Sequence, residues 1–228
     1  MKLFFHYCAS TFSNCYVLGT DPPATADSSA KEAAHPREAS LSREASLPRE
    51  AIIIDPGNMD RGLLSLIEEN DYSLLGVLIT HDHPHHVRGL NTIMKIYDTA
   101  IYAINPVVSG HRTTLVRDGD VLDIGSFKTE VFLIPGHSPD SAVFKIDRFL
   151  FTGDTISAGF MGSTASSFSA TTQVNSLRKK IFSLPGNYFI FPGHGPPSSL
   201  EAERRYNLDI NTFEQRKNRR SHFKLELD

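Results

Sequence analysis

At 228 residues, the chain is long enough for one sizeable domain or two small ones. A 40% hydrophobic and 10% aromatic composition supplies an ordinary globular core, and a net charge of only -3 speaks against a general nucleic-acid or anionic-membrane partner. The two cysteines, Cys8 and Cys15, cannot build a disulfide framework and read as reduced thiols in a cytoplasmic setting, and no run approaches the roughly 18 apolar residues that span a bilayer.

The opening Met1-Lys2-Leu3-Phe4-Phe5-His6 carries one basic residue and too short an apolar run for a secretory signal. Apolar runs at Lys2–Cys8 and Cys15–Leu18, joined by a polar turn, predict a hairpin. Residues 22–50 then turn to Ala, Ser, Glu, Arg and Pro, with Arg-Glu-Ala recurring at Arg37, Arg43 and Arg49. Such a composition cannot bury a core and reads as a low-complexity repeat inserted in a surface loop, where lengthening costs only about 0.6 kcal/mol per doubling.

From Ala51 the elements alternate. A buried strand over residues 51–54 ends at Asp55-Pro56-Gly57, a helix carries Leu63, Leu64, Leu66 and Ile67, and a strand covers 74–79. Leu90, Ile93, Met94 and Tyr97 predict a helix over 87–97, followed by short strands near Ile101 and Val107 and a hairpin turn at Asp118-Gly119-Asp120. Strands are expected at 127–134, 142–146, 149–151 and 188–191. Helices are expected at 174–184 and from about Ser199, where a long charged helix ends in the basic run Arg216–Arg220, read as a solvated terminus. Strands outnumber helices and both run the full length, which fits two sheets with helices outside, as one domain.

The strand at 74–79 ends in Thr80-His81-Asp82-His83-Pro84-His85-His86. Four histidines in six residues are hard to explain as packing, because neighbouring imidazoles resist joint protonation, whereas neutral imidazole is the commonest zinc ligand. Further on, His137, Asp154 and His194 each follow a strand and a glycine, in Pro135-Gly136-His137, Thr152-Gly153-Asp154 and Pro192-Gly193-His194. Glycine there lets the backbone pass close to a bound ion.

This series, together with Phe151-Thr152-Gly153-Asp154-Thr155 and Pro192-Gly193-His194-Gly195-Pro196, resembles the metallo-β-lactamase superfamily. Within it the chain is similar to the short glyoxalase II-like branch, akin to hydroxyacylglutathione hydrolase without its large helical C-terminal domain. The resemblance implies an α+β fold, an αββα sandwich of two mixed sheets packed face to face with helices outside. It also implies a ligand scheme: His81, His83 and His137 on a first metal, Asp154 bridging to a second held by His86, His194 and position 85, and Asp55 supporting the site from behind. Position 85 departs from the pattern, being His85 where the family has Asp, and this predicts a weaker or empty second site. A further departure is the Ser-rich stretch Gly162–Ser167 in place of the branch's Gly-Arg-Thr-Asp.

The expected activity is metal-dependent hydrolysis of a small molecule, with Asp154 orienting a metal-bound hydroxide that attacks a polarised carbonyl. A thiolate with a pKa around 8.5 leaves without a dedicated general acid, which favours a thioester or similarly activated ester. Zinc is the expected metal, one or two ions, with iron or manganese as alternatives. Two other readings compete: a mononuclear-iron oxygenase of the persulfide dioxygenase type, using His83, His137 and Asp154, and a degenerate member kept for binding or structure.

Overall fold

The computed structural model describes residues 1–21 and 49–213. The repeat at 22–50 falls outside them except for its last two residues, as does the basic run at 216–220. In chain order the elements are β1 (Lys2–Cys8), β2 (Ser13–Gly19), β3 (Arg49–Ile54), α1 (Arg61–Glu69), β4 (Tyr72–Leu78), α2 (Pro84–Val87), α3 (Leu90–Ile96) and β5 (Ala100–Ala103). Short strands β6 (Val107–Val108), β7 (His111–Arg112) and β8 (Thr114–Leu115) lead to β9 (Val121–Ile124), β10 (Phe127–Leu133), β11 (Ala142–Ile146) and β12 (Phe149–Gly153). The chain continues through β13 (Ile156–Ser157), β14 (Phe160–Met161), α4 (Ser167–Lys180), β15 (Phe189–Pro192), β16 (Ser198–Ser199) and α5 (Leu200–Tyr206).

Two six-stranded sheets form, ordered β1-β2-β3-β4-β5-β8 and β16-β15-β12-β11-β10-β9. Both are mixed: β3, β4, β5 and β8 run parallel, as do β12 and β15, and the remaining neighbours are antiparallel. Successive strand residues point to opposite faces, and the burial shows where each face goes. Val17, Ala51, Ile53 and Val77 pack with Leu63 and Ile67 of α1 and Leu90 and Ile93 of α3. Their neighbours Leu18, Ile52, Ile54 and Leu78 instead meet Val131, Phe144, Ile146 and Phe151 of the other sheet. On its far side, Val143, Leu150 and Ile190 pack with Leu177 of α4 and Leu200 of α5. The result is helix, sheet, sheet, helix, as the resemblance implied. The strands buried on both faces read as unbroken apolar runs for that reason, and each fully buried aliphatic side chain contributes about 1.5–3 kcal/mol.

The helices differ most from expectation. The helix expected over 87–97 is two, because at Gly89 the backbone passes against the 55–59 loop: its N–H donates to the Pro56 carbonyl at 2.8 Å and a Cβ would lie 2.6 Å from that oxygen. Helix α4 starts seven residues earlier than the expected 174, capped by Ser166, whose hydroxyl accepts from Ser169 N at 3.1 Å. Its first half is polar, and the buried Gln173 turns inward to donate to the Thr155 carbonyl at 2.9 Å, so no apolar stripe marks that start. The expected long C-terminal helix is interrupted at Asn207, whose extended backbone ends α5 and whose side-chain oxygen accepts from Ile210 N at 3.2 Å to open a second helix over 208–213.

Candidate metal centre

Every predicted site residue lies just beyond the C-terminal end of a strand: the supporting Asp55 after β3, His81–His86 after β4, His137 after β10, Asp154 after β12 and His194 after β15. The sheets share one edge there. Ala142 N donates to the Thr80 carbonyl at 2.8 Å, and Asn14 N and Nδ2 donate to the Gly193 and Pro192 carbonyls at 2.8 and 2.9 Å, so the ends are bonded across the two layers. The imidazoles form a file from His85 through His194 and His86 to His81, which closes with His83 and His137 into a triangle, His81 and His83 being 4.5 Å apart. Ring centroids are 5.7 Å apart for His85–His194, 5.1 Å for His194–His86, 4.4 Å for His86–His81, 4.9 Å for His81–His137 and 4.8 Å for His137–His83.

Hydrogen bonds behind the file fix which ring nitrogens face inward. Asp55, in a left-handed backbone (φ 51°), accepts from Thr80 N at 2.8 Å and from the Thr80 hydroxyl at 2.6 Å. That hydroxyl has spent its one proton on Asp55, so its 3.1 Å contact with His81 Nδ1 makes it an acceptor there. His81 therefore carries its hydrogen on Nδ1 and turns the Nε2 lone pair inward. His137 is set the same way: Nδ1 donates to the Ser163 carbonyl at 2.8 Å and Nε2 lies 3.1 Å from His83 Nδ1. His86 places Nδ1 3.3 Å from Asp55 Oδ2 and Nε2 3.4 Å from Asp154 Oδ2.

Asp154 is the charge at the middle. Its Oδ1 accepts from His194 Nδ1 at 2.8 Å, while Oδ2 faces His86, His137 and His81 nitrogens at 3.4, 3.6 and 3.8 Å. Against its burial, His194 and His86 hold the carboxyl well below the usual carboxylate range. Burial, reinforced by repulsion from His86, pushes His81 down to about 3, so this ring is neutral and ready as a ligand. Burial also opposes a charge on His86, but the nearby Asp154 and Asp55 carboxylates override it and raise that ring to about 10. Burial and the neighbouring His137 lower His83.

Donor atoms of His81, His83 and His137 lie within 4.8 Å of one another, and so do those of His81, His86 and Asp154, giving a possible His/Asp metal site. The residues fit an ion. His81 is 1% exposed and His86 is fully buried, yet His81 Nε2 and both His86 nitrogens lack a hydrogen-bond partner within the protein. Buried polar atoms left unpaired are costly, and a cation relieves that cost. His194 reaches the centre through Asp154. His85 does not join either donor set: it is exposed, touches His194 only ring to ring, and is held by its backbone, whose carbonyl accepts from the Ser13 hydroxyl at 2.6 Å.

Several supporting residues escaped the sequence reading. Thr80, Ser13 and Asn14 work through bonds to distant segments. Asp140 accepts from Asp82 N and Asn105 Nδ2, both at 2.9 Å, and from the Ser138 hydroxyl at 2.7 Å, pinning the histidine loop to the His137 turn. None of these has a periodic or spacing signal.

A family model described as the metallo-beta-lactamase superfamily matches residues 47–194. A probable metallo-hydrolase of Bacillus subtilis, YqgX, is 26% identical over 185 residues, covering 71% of this chain and 88% of its own. A hydroxyacylglutathione hydrolase of Francisella philomiragia is 32% identical over 147 residues, 63% of this chain but only 58% of the relative. Among solved structures, ETHE1 from Myxococcus xanthus superposes with a TM-score of 0.71 at 22% identity, covering 91% of this chain and 84% of that one. TTHA1623, crystallised in a di-iron-bound form, gives 0.67 at 22% identity, covering 90% and 98%. These structures share the fold. The sandwich, the histidine file at its edge and the match over residues 47–194 agree, and the chain belongs to the metallo-beta-lactamase superfamily.

Proposed function

We propose that the chain is a metal-dependent hydrolase of a thioester or similarly activated ester. The observation that carries this reading is the buried, unpartnered Nε2 of His81, aimed by Thr80 into a set completed by His83 and His137. In this reading those three hold one ion, and Asp154, with His86 and His194, holds the opposite side. When bound, a divalent ion acidifies a water to a pKa of about 7 and polarises the attacked carbonyl. Zinc suits a centre built mainly of imidazoles, and manganese or iron can occupy it.

The protein's own groups then position and orient. Asp154 Oδ2, facing His81, His86 and His137, is placed to orient a nucleophilic water by accepting its hydrogen bond. Thr80 and the Ser163 carbonyl keep the rings of His81 and His137 in one tautomer through the cycle. Position 85 offers an exposed imidazole where a carboxylate would serve as proton donor. A departing thiolate needs no such donor, whereas an amide nitrogen or alkoxide does.

The test is thiol release from a panel of acyl thioesters, beside a cephalosporin and a phosphodiester, by zinc-, manganese- and iron-loaded protein. Thioester hydrolysis is expected to fall at least about 100-fold in His81→Ala and Asp154→Ala. Thiol release no faster than in those variants, for every metal, refutes the reading. One geometric feature favours a second reading: donor atoms of His81, His86 and Asp154 lie within 4.8 Å of one another, a two-histidine, one-carboxylate set suited to mononuclear iron, though not the His83, His137 and Asp154 set expected for it. Oxygen uptake by iron-loaded protein given a low-molecular-weight persulfide, without thioester hydrolysis, would select it.

A further inference from the structure

Helix α4 sets a fully buried glutamine behind the metal centre, with its polar end only half used. Gln173 is 0% exposed and donates from Nε2 to the Thr155 carbonyl at 2.9 Å, while its buried Oε1 has no hydrogen-bond partner within the protein. Reversing the amide would not help, because Oε1 would then oppose the Thr155 carbonyl, acceptor against acceptor. An unpaired buried acceptor lowers stability, and a methionine or leucine of similar size carries no such penalty. The next inward residue of α4 one turn on, Leu177, is apolar and packs with Val143, Leu150 and Ile190.

What the glutamine does touch are the turns that carry two candidate ligands. Thr155 follows Asp154, and its carbonyl also accepts from Gly162 N at 3.3 Å. Bonds within this turn set its shape: Thr155 N and Oγ1 donate to the Thr152 carbonyl at 3.1 and 2.8 Å, and Thr152 Oγ1 donates to the Ile156 carbonyl at 3.0 Å. Gln173 ties the turn so shaped to α4. The other turn, Pro135-Gly136-His137, lies against the same side chain. Gly136 has φ 153°, and a Cβ there would stand 2.4 Å from Gln173 Cβ, 2.7 Å from its Oε1 and 2.8 Å from the Ser169 carbonyl, one helical turn earlier. Glycine is what lets the backbone come this close to the helix. Gln173 therefore meets the His137 turn with its stem and Oε1, and the Asp154 turn with its Nε2. The two turns face each other through His137 Nε2 and Asp154 Oδ2, 3.6 Å apart.

We propose that Gln173 is a positioning residue of the metal centre, a strut that sets the spacing of His137 from Asp154 and with it the fit of the ion. It acts through the Thr155 carbonyl and Gly136 and not as a ligand. The inference rests on the metal site alone and goes beyond the hydrolase reading, since it holds whichever reaction the ion serves. Its physical content is stability given up for geometry: the amide is kept where an apolar side chain would pack without an orphaned oxygen.

The test measures zinc affinity by chelator competition and, separately, thermal melting of the metal-free protein. Gln173→Met keeps the volume and removes the amide. It is expected to bind zinc about 10–100-fold more weakly, while its metal-free form melts at or above the wild-type temperature. Gln173→Leu repeats the comparison if the methionine variant does not fold. Leu177→Ala, which opens the core under the same helix, is expected to do the reverse, melting lower with its zinc affinity kept. Cobalt(II) bound to Gln173→Met is expected to show a visible absorption spectrum altered from the wild type, which a packing defect alone would leave in place. Folded Gln173 variants with wild-type zinc affinity, or an unaltered cobalt spectrum, overturn the proposal. So does a loss of affinity that tracks melting temperature across all three variants, and so does failure of both Gln173 variants to fold, since either makes the amide a packing element. No readout here is turnover, so failure of thioester hydrolysis leaves the strut standing, and failure of the strut leaves the hydrolase reading untouched.

Discussion

The hydroxyl of Thr80 donates to Oδ2 of Asp55 across 2.6 Å, and so meets His81 Nδ1 as an acceptor at 3.1 Å. One proton's direction thereby decides which nitrogen of a buried histidine is left for a metal. Valine at position 80 keeps the shape and removes the relay. Thr80→Val is expected to weaken metal binding about 10–100-fold, and Thr80→Ser to retain most of it. Competition against a chromogenic chelator measures both, and a valine variant that binds like the wild type refutes the relay.

In the proposed reading, position 85 sets the stoichiometry. His85 is exposed and stands outside both donor sets, so the unaltered chain is expected to take up about one ion. His85→Asp supplies a carboxylate beside His86 and His194 and is expected to raise that to about two. Elemental analysis of protein purified without chelator reads this directly. Two ions already present in the wild type would make the imidazole a working ligand.

Without metal, the Asp154–His86 contact has its own pH signature. Asp154 is held below its ordinary range, so its contribution to stability is present above about pH 3.9 and is lost as pH falls through the lower folded value. His86 is raised to about 10, so its contribution is complete below about pH 6.5 and is lost as pH rises toward 10. Chelator-treated wild type is therefore expected to lose stability between pH 6.5 and 10, and Asp154→Asn to lose distinctly less. Urea midpoints across that range test it, and parallel curves would count against the contact.

Gly162 carries the Ser-rich segment over Asp154. A Cβ there would lie 1.6 Å from the Asp154 carbonyl oxygen, a backbone atom that cannot swing away. Gly162→Ala is expected to cost about 1–3 kcal/mol and to lower metal affinity, because the displaced segment holds His137 through Ser163. Unfolding by urea gives the first and chelator competition the second. A variant equal to the wild type in both would show that the segment yields freely.

The sandwich was legible because burial on both faces leaves continuous apolar strands, as in β3 and β4, and because each strand ends in a turn residue. His81, His83 and His86 were legible as part of a run of four histidines in six residues, and His137, Asp154 and His194 through a repeated order of strand, glycine and ligand-type side chain; all lie beyond strand ends at the shared sheet edge. Asp55 was placed only through family resemblance, and its bond to Thr80 joins residues 25 positions apart. Ser13 and Asn14 were hidden for the same reason: their partners lie 72 and 178 residues away, and a small polar residue in a turn looks alike whether or not it reaches one. The early half of α4 was missed because its inward residue is Gln173, whose burial is balanced by a backbone carbonyl and not by apolar neighbours.

The two six-stranded sheets divide the donors between them. The His81–His86 loop extends from one, and His137, Asp154 and His194 extend from the other. Neither layer alone presents a complete coordination sphere, and the contributing segments span residues 81–194. In the proposed reading, metal uptake would therefore require that the two sheets have docked in register, and a chain whose sheets had formed separately would stay empty.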